Sequence, residues 1–240
     1  MAGLGTLVNV IGILLGGVLG LWGGRLLTKH LQDTLMMANA VVVIFIGISG
    51  TLREMIKIMP NGQLEITGTM MMIICLAGGA ILGEVINLDA RIERIGIWLK
   101  NKCGSDKDGG FVDGFVTASL TVCIGAMAVI GSIEDSLRAN HTILFAKTML
   151  DMIIVMIMTA SMGKGCIFSA VSVGVFQGSI SLLAWFIAPV ITDASLANLS
   201  YVGNILIFCV GINLMFPRKI RVANLLPALF LAVIWPFIFT

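Results

Sequence analysis

Eight apolar stretches, about 4–24, 36–52, 66–86, 114–133, 142–161, 166–188, 201–216 and 223–240, make up most of this chain. Each lies near the roughly 20 residues that a helix needs to cross a bilayer, the shorter ones being accommodated by tilt or local thinning. A helix satisfies its own backbone N–H and C=O groups, which lipid demands of any open segment. Composition closes off the soluble alternative. With 58% hydrophobic and 12% charged residues and a mean hydropathy of +1.04, a water-facing surface cannot be covered. A net charge of +2 likewise excludes a nucleic-acid partner. The expected fold is an all-α polytopic membrane protein with about eight transmembrane helices, residues 1–240 forming a single integral membrane domain.

The 15 Lys and Arg fall in the connections or at span ends. Eleven belong to the odd-numbered connections: Arg25, Lys29, Arg91, Arg94, Lys100, Lys102, Lys107, Lys164, Arg218, Lys219 and Arg221. The even connections hold Arg53, Lys57 and Arg138, with Lys147 counted beside them. Short basic loops stay in the cytoplasm, so both termini are expected outside. No basic stretch or small-residue cleavage pattern marks Met1–Gly5 as a removable signal. In the third connection Ile92, Ile95 and Leu99 recur at helical spacing with Trp98, which predicts an interfacial cytoplasmic helix over 88–100. The five cysteines form no C-x-x-C pair and read as small buried hydrophobes. No metal site or cofactor is expected.

Spans two and seven share a texture, Ile44–Ser49 beside Phe208–Asn213, each after a small-residue-rich span and a short link carrying Asp33 or Asp193. Spans 1–3 thus match spans 6–8 in a candidate inverted repeat, the layout from which many transporters build alternating access.

Asp151 stands near the middle of the fifth span, where an ionised side chain is costly and faces the bundle interior. Lys147 lies four residues earlier on the same helical face. The pair reads either as a cation or proton site or as a self-neutralised structural unit. In the fourth span Thr117 and Asp135 are 18 residues apart, five whole turns. Thr121, Ala128 and Ser132 fall close to that line, and Glu134 adjoins it, so a hydroxyl-lined path with an acidic outer mouth is expected. The plainer alternative is hydroxyls bonded to their own helix carbonyls. Gln177 adds a polar contact on a small-residue face of the sixth span. Gly12, Gly16, Gly20 and Gly24 form a packing face on the first span, suited to a neighbouring helix or to a homodimer. Gly47-Ile48-Ser49-Gly50 matches the serine motif of rhomboid-type proteases. His141 would have to serve as the base from a span entrance, so no enzyme is expected.

At Gly114–Leu120, Gly131–Asp135, Phe176–Gly178 and Arg221–Leu229 the chain resembles the bacterial inner-membrane family catalogued as domain of unknown function 554, from the Gly5–Asn9 start to its end. The resemblance implies a multi-pass bacterial inner-membrane protein, a transporter or channel in outline, with no established substrate or site residue. The family pattern often has Pro where this chain has Ala126, and Gly where it has Ser136 and Met152. The departure at 126 removes a Pro-based reason for a helix break there. The one at 152 bears on close packing around Asp151. Two functions follow: transport of a monovalent cation or small solute through spans 4–6, or a non-transporting scaffold or sensor that binds a partner through the basic segment 88–107.

Overall fold

The computed structural model describes residues 3–23, 28–59, 61–91, 94, 109–123, 126–187, 192–216 and 220–239. Their helices are α1 (Leu4–Gly23), α2 (Lys29–Met55), α3 (Thr69–Ile86), α4 (Gly109–Cys123), α5 (Ala126–Arg138), α6 (Thr142–Met162), α7 (Ser169–Ile187), α8 (Asp193–Met215), α9 (Val222–Leu225) and α10 (Pro227–Ile238). A 3-10 turn, Lys164–Phe168, leads into α7. The protein is an all-α polytopic membrane protein, and among the described residues each of the eight apolar stretches lies largely in helix. Six helical segments are long and apolar enough to cross a bilayer, and α4 with α5, bent by 54°, make a seventh if counted as one span. The last stretch is shorter because Pro227 starts a new helix after α9, although Pro236 is accommodated inside α10.

Two features add to or depart from the sequence expectation. The second connection is a β-hairpin, β1 (Ile56–Ile58) paired antiparallel with β2 (Leu64–Ile66) in the register Ile56↔Ile66 and Ile58↔Leu64. Asn61-Gly62, with Gly62 at φ 78°, supplies its turn, and the Gln63 N–H donates to Asn61 Oδ1 at 3.0 Å. The seventh span begins at Asp193 rather than 201, because Thr192 caps it by accepting the Ser195 N–H at 3.1 Å. Of the expected interfacial helix over 88–100, residues 88–91 and Arg94 are helical. The rest of it, the remainder of the basic segment to 107, and Gly24 lie outside the described residues.

The contacts fall into two compact units, Met1–Met37 with Ala90–Ala188, and Ala38–Asp89 with Pro189–Thr240. In the first, α1 lies parallel to α6. A Cβ on Gly12 would meet Thr148, one on Gly16 would sit in the Met152 carbonyl, and one on Gly20 would strike the Met156 carbonyl. The constant offset means that glycines every four residues open one continuous groove for the α6 backbone. Close packing beside Asp151 thus comes from Gly16, with Met152 contributing only its backbone. The glycine face is filled within the chain, so it is not the surface that a homodimer would use. Around this seam Ile13, Ala118, Val122, Ile154, Val155, Cys166, Ala170 and Val173 form the apolar core. The opposite face of α1, including Leu7, Leu14, Leu15, Leu21 and Trp22, is exposed. That arrangement suits a lipid solvent and would be costly in water.

In the second unit α2 lies antiparallel to α8, with Gly47 against Phe208 and Gly211 against Ile44. The helix pair α9–α10 lies antiparallel to α3 through Gly83 against Asn224 and Gly79 against Ala228. Asn87, left-handed at φ 53°, ends α3, and the Asp89 N–H donates to Asn224 Oδ1 at 2.8 Å.

The α1–α6 seam sets the first prediction. Gly16→Val should lower the stability of the detergent-solubilised protein by about 1–3 kcal/mol or abolish its folding, as overpacking does. Gly23→Ala, with nothing within 4 Å of the added carbon, should change it little. Comparable thermal unfolding of the two variants would refute the seam.

Candidate functional site

The helical repeat of α6 stacks Lys147 one turn from Asp151, and both side chains are buried. Lys147 Nζ donates to Asp151 Oδ1 at 2.8 Å and Oδ2 at 2.7 Å, and to the Val122 carbonyl at 2.7 Å. Those three acceptors match the three protons of the ammonium. Asp151 Oδ2 also accepts from Asn9 Nδ2 of α1 at 3.0 Å. Val122 stands in the last turn of α4, where helix carbonyls lack an intrahelical partner and carry partial negative charge. Ending α4 there frees the carbonyl that Lys147 takes. The helix breaks ahead of Ala126 even though this chain lacks the proline that the family pattern often has there. A cation approaching Asp151 would have to displace Lys147.

That break disposes of the straight polar stripe. Since α4 and α5 are bent by 54°, whole-turn arithmetic cannot carry Thr117 onto the line of Asp135. Thr117 and Thr121 are exposed, and Thr121 Oγ1 donates to the Thr117 carbonyl at 2.7 Å, the plainer alternative. The acidic mouth is also committed elsewhere. Asp135 is fully buried, and its carboxylate accepts the N–H groups of Gly3 at 2.8 Å and Gly5 at 3.2 Å, capping α1 from outside that helix. It also bonds His141 Nδ1. Glu134 accepts from Asn140 Nδ2 at 2.7 Å and so closes the turn between α5 and α6. Ser49 Oγ, the serine of the protease-like motif, donates to the Ile46 carbonyl of its own helix.

Ser132 and Gln177 behave differently. Both are fully buried, and neither the Ser132 hydroxyl nor either end of the Gln177 amide has a hydrogen-bond partner. Thr6 Oγ1, Asn9 Oδ1 and Ser136 Oγ share that condition. These groups belong together. Thr6 and Ser136 line a cavity of about 360 Å³ with Gly3, Gly178, Ser181, Leu182 and Trp185. Ser181 Oγ reaches the Ser132 carbonyl at 3.5 Å, Gln177 lies one turn deeper on α7, and Asn9 lies about one turn deeper on α1. Below Asn9 comes the ion pair. Sequence reading names Ser132, Gln177, Lys147 and Asp151 but assigns no place in the path to Asn9, Thr6 or Ser136. The signal for Asn9 was its polarity on the glycine face, three residues before Gly12.

The closed pair makes a double-mutant prediction. Lys147→Met or Asp151→Leu alone leaves one uncompensated buried charge, and each should cost about 3–5 kcal/mol. The double variant should recover most of that loss, read as unfolding in detergent. Additive losses would mean that the two groups do not form the buried unit described.

The family described as "Protein of unknown function (DUF554)" matches residues 4–237. "Uncharacterized membrane protein YdfK" of Bacillus subtilis (strain 168) is 29% identical over 98% of this chain and 96% of its own length. "Uncharacterized protein YqgA" of Escherichia coli (strain K12) is 23% identical over 96% of this chain and 94% of its own. No solved structure matches. With agreement over nearly its whole length, the chain belongs to the membrane-protein family of unknown function, DUF554.

Proposed function

We propose that this protein moves a small ion or small solute across the bacterial inner membrane, without enzymatic chemistry, along a polar path in the unit that holds α1 and α4–α7. The observation that carries the reading is the set of partnerless buried groups, the side chains of Thr6, Ser132, Ser136 and Gln177 and the Oδ1 of Asn9, between an open cavity and the Lys147–Asp151 pair. Protein interiors satisfy more than about 90% of such groups, and each orphan costs about 1–3 kcal/mol. Five in one place on three helices are accounted for by an occupant that hydrogen-bonds to them in turn. The ion pair forms the neutral floor of the path.

Helix directions support multiple alternating crossings that leave both termini on the same side. Spans one and five lie parallel, while two and seven, and three and eight, lie antiparallel, as eight crossings require. The reciprocal contacts Gly47 to Phe208 and Gly211 to Ile44 support an inverted relation between spans 1–3 and 6–8, since a two-fold axis exchanges those two contacts.

The test is flux in proteoliposomes, with Na⁺, K⁺, H⁺ and small neutral solutes compared between wild type and Gln177→Leu. Replacing an unsatisfied amide by an apolar group should hold or raise the melting temperature while cutting flux about tenfold or more. Undiminished flux in the variant would remove Gln177 from the path. Absence of every flux in folded wild-type protein would sink the transport reading.

A further inference from the structure

We infer that the β-hairpin between α2 and α3 is a membrane-surface anchor, its apolar face seated at the boundary between lipid headgroups and acyl chains. The inference stands apart from the transport reading and concerns the second unit alone. Its first support is the sidedness of the ribbon. Successive side chains on a strand point to opposite faces, and the register pairs Ile56 with Ile66, Lys57 with Glu65 and Ile58 with Leu64. Four branched aliphatics therefore share one face, while the other holds a lysine directly opposite a glutamate.

The second support is that this apolar face is bare. Ile58 is 77% exposed, Leu64 70%, Ile66 64% and Ile56 39%. A two-stranded ribbon is at best marginally stable in water and needs something against its apolar face. The ladder is nevertheless closed from base to tip: the Thr67 N–H donates to the Met55 carbonyl at 2.8 Å and the Met59 N–H to the Gln63 carbonyl at 2.9 Å. Its outer edges still carry unpaired backbone groups, which the headgroup region can hydrate and the hydrocarbon cannot. The ribbon thus belongs at the boundary and no deeper.

The third support is what the chain connections allow. β1 follows the last residue of α2 directly, and Thr67 and Gly68 alone separate β2 from α3. Both helices are long and apolar enough to cross a bilayer, so the hairpin is tied to the membrane surface at each end. On α2, exposed Val41, Phe45, Ile48 and Leu52 recur every three or four residues, and Ile56 is next in that series; Met70 and Ile73 resume it after Ile66. The exposed apolar surface of both helices continues, along the chain, into the ribbon. One lysine and one glutamate leave the strands without net charge, so apolar burial seats them and attraction to anionic lipid does not. Strands of three residues each offer a second copy of this chain too small a face for a stable contact.

Nitroxide labels test this in the full chain, reconstituted in phosphatidylcholine vesicles after its five native cysteines are replaced. Each variant carries one label, at Ile58→Cys, Leu64→Cys, Lys57→Cys or Glu65→Cys. Collisions with oxygen, which partitions into lipid, are compared with collisions with a water-soluble nickel chelate. Labels at 58 and 64 should favour oxygen about threefold or more over those at 57 and 65, and adding phosphatidylglycerol should leave that alternation unchanged. Nickel access at all four positions would put the hairpin in water and overturn the anchor. Labels at 58 and 64 shielded from both reagents would mean that protein covers the face, a second copy if spin–spin distances between molecules are short, and would overturn the lipid assignment. Alternation seen only with phosphatidylglycerol would overturn seating by apolar burial. The unsubstituted protein gives a second reading that does not depend on the cysteine-free background folding. Hydroxyl-radical oxidation of Leu64 and Ile66 should be about tenfold lower in vesicles than in a free peptide of residues 55–67. Equal oxidation in the two would likewise overturn the anchor.

Discussion

A single buried lysine ties three helices of the first unit together. Lys147 holds Asp151 on its own helix, takes the Val122 carbonyl from the end of α4, and through Asp151 reaches Asn9 on α1. In lipid the hydrophobic effect does little to bring helices together, so close packing and interhelical hydrogen bonds set the arrangement. The knot supplies the bonds and the glycine groove supplies the approach. Without Gly12 and Gly16, α1 would stand too far from α6 for Asn9 to reach the carboxylate. Without the end of α4 at Cys123, the lysine would lack its third acceptor.

The same economy of polar groups separates fixed from available. Asp135, the acid nearest the membrane edge of α5, is consumed in capping α1, and Glu134 in closing the α5–α6 turn. The charged groups of the expected path are thereby engaged, while weaker hydrogen-bonders, Ser132, Ser136, Thr6 and Gln177 among them, are left without partners. The second unit is held differently. Its helices meet through Gly47, Gly79, Gly83 and Gly211, and its ion pair between Arg221 and Glu84, at 3.2 Å, is exposed and contributes little.

Much of this could be read from the chain because bilayer thickness and backbone satisfaction leave few choices. The apolar stretches had to be helices, the i,i+4 spacing had to pair Lys147 with Asp151, and the glycine repeat had to mark a close contact. Reading failed where an element's straightness was assumed. The stripe from Thr117 to Asp135 required one unbroken helix, and the break after Cys123 leaves a carbonyl, that of Val122, for a lysine 25 residues later. The hairpin at 56–66 was within reach, since Asn61-Gly62 between alternating aliphatics is a strong turn signal.

Sequence by itself determined that the chain is a membrane-spanning helical protein, which of its stretches are helical, and that a charged pair is buried in the fifth of its apolar stretches. Those properties depend on local periodicity and on the cost of exposing polar backbone to lipid, which act within each segment. Tertiary structure alone decided which carboxylates are spent and which polar side chains stay open. That outcome depends on partners far apart in the chain, Asn9 with Asp151, Gly3 with Asp135 and Lys147 with Val122. Hydrogen-bond satisfaction is a property of the assembled bundle, because each group's need is met or left unmet by a helix whose position no local pattern specifies.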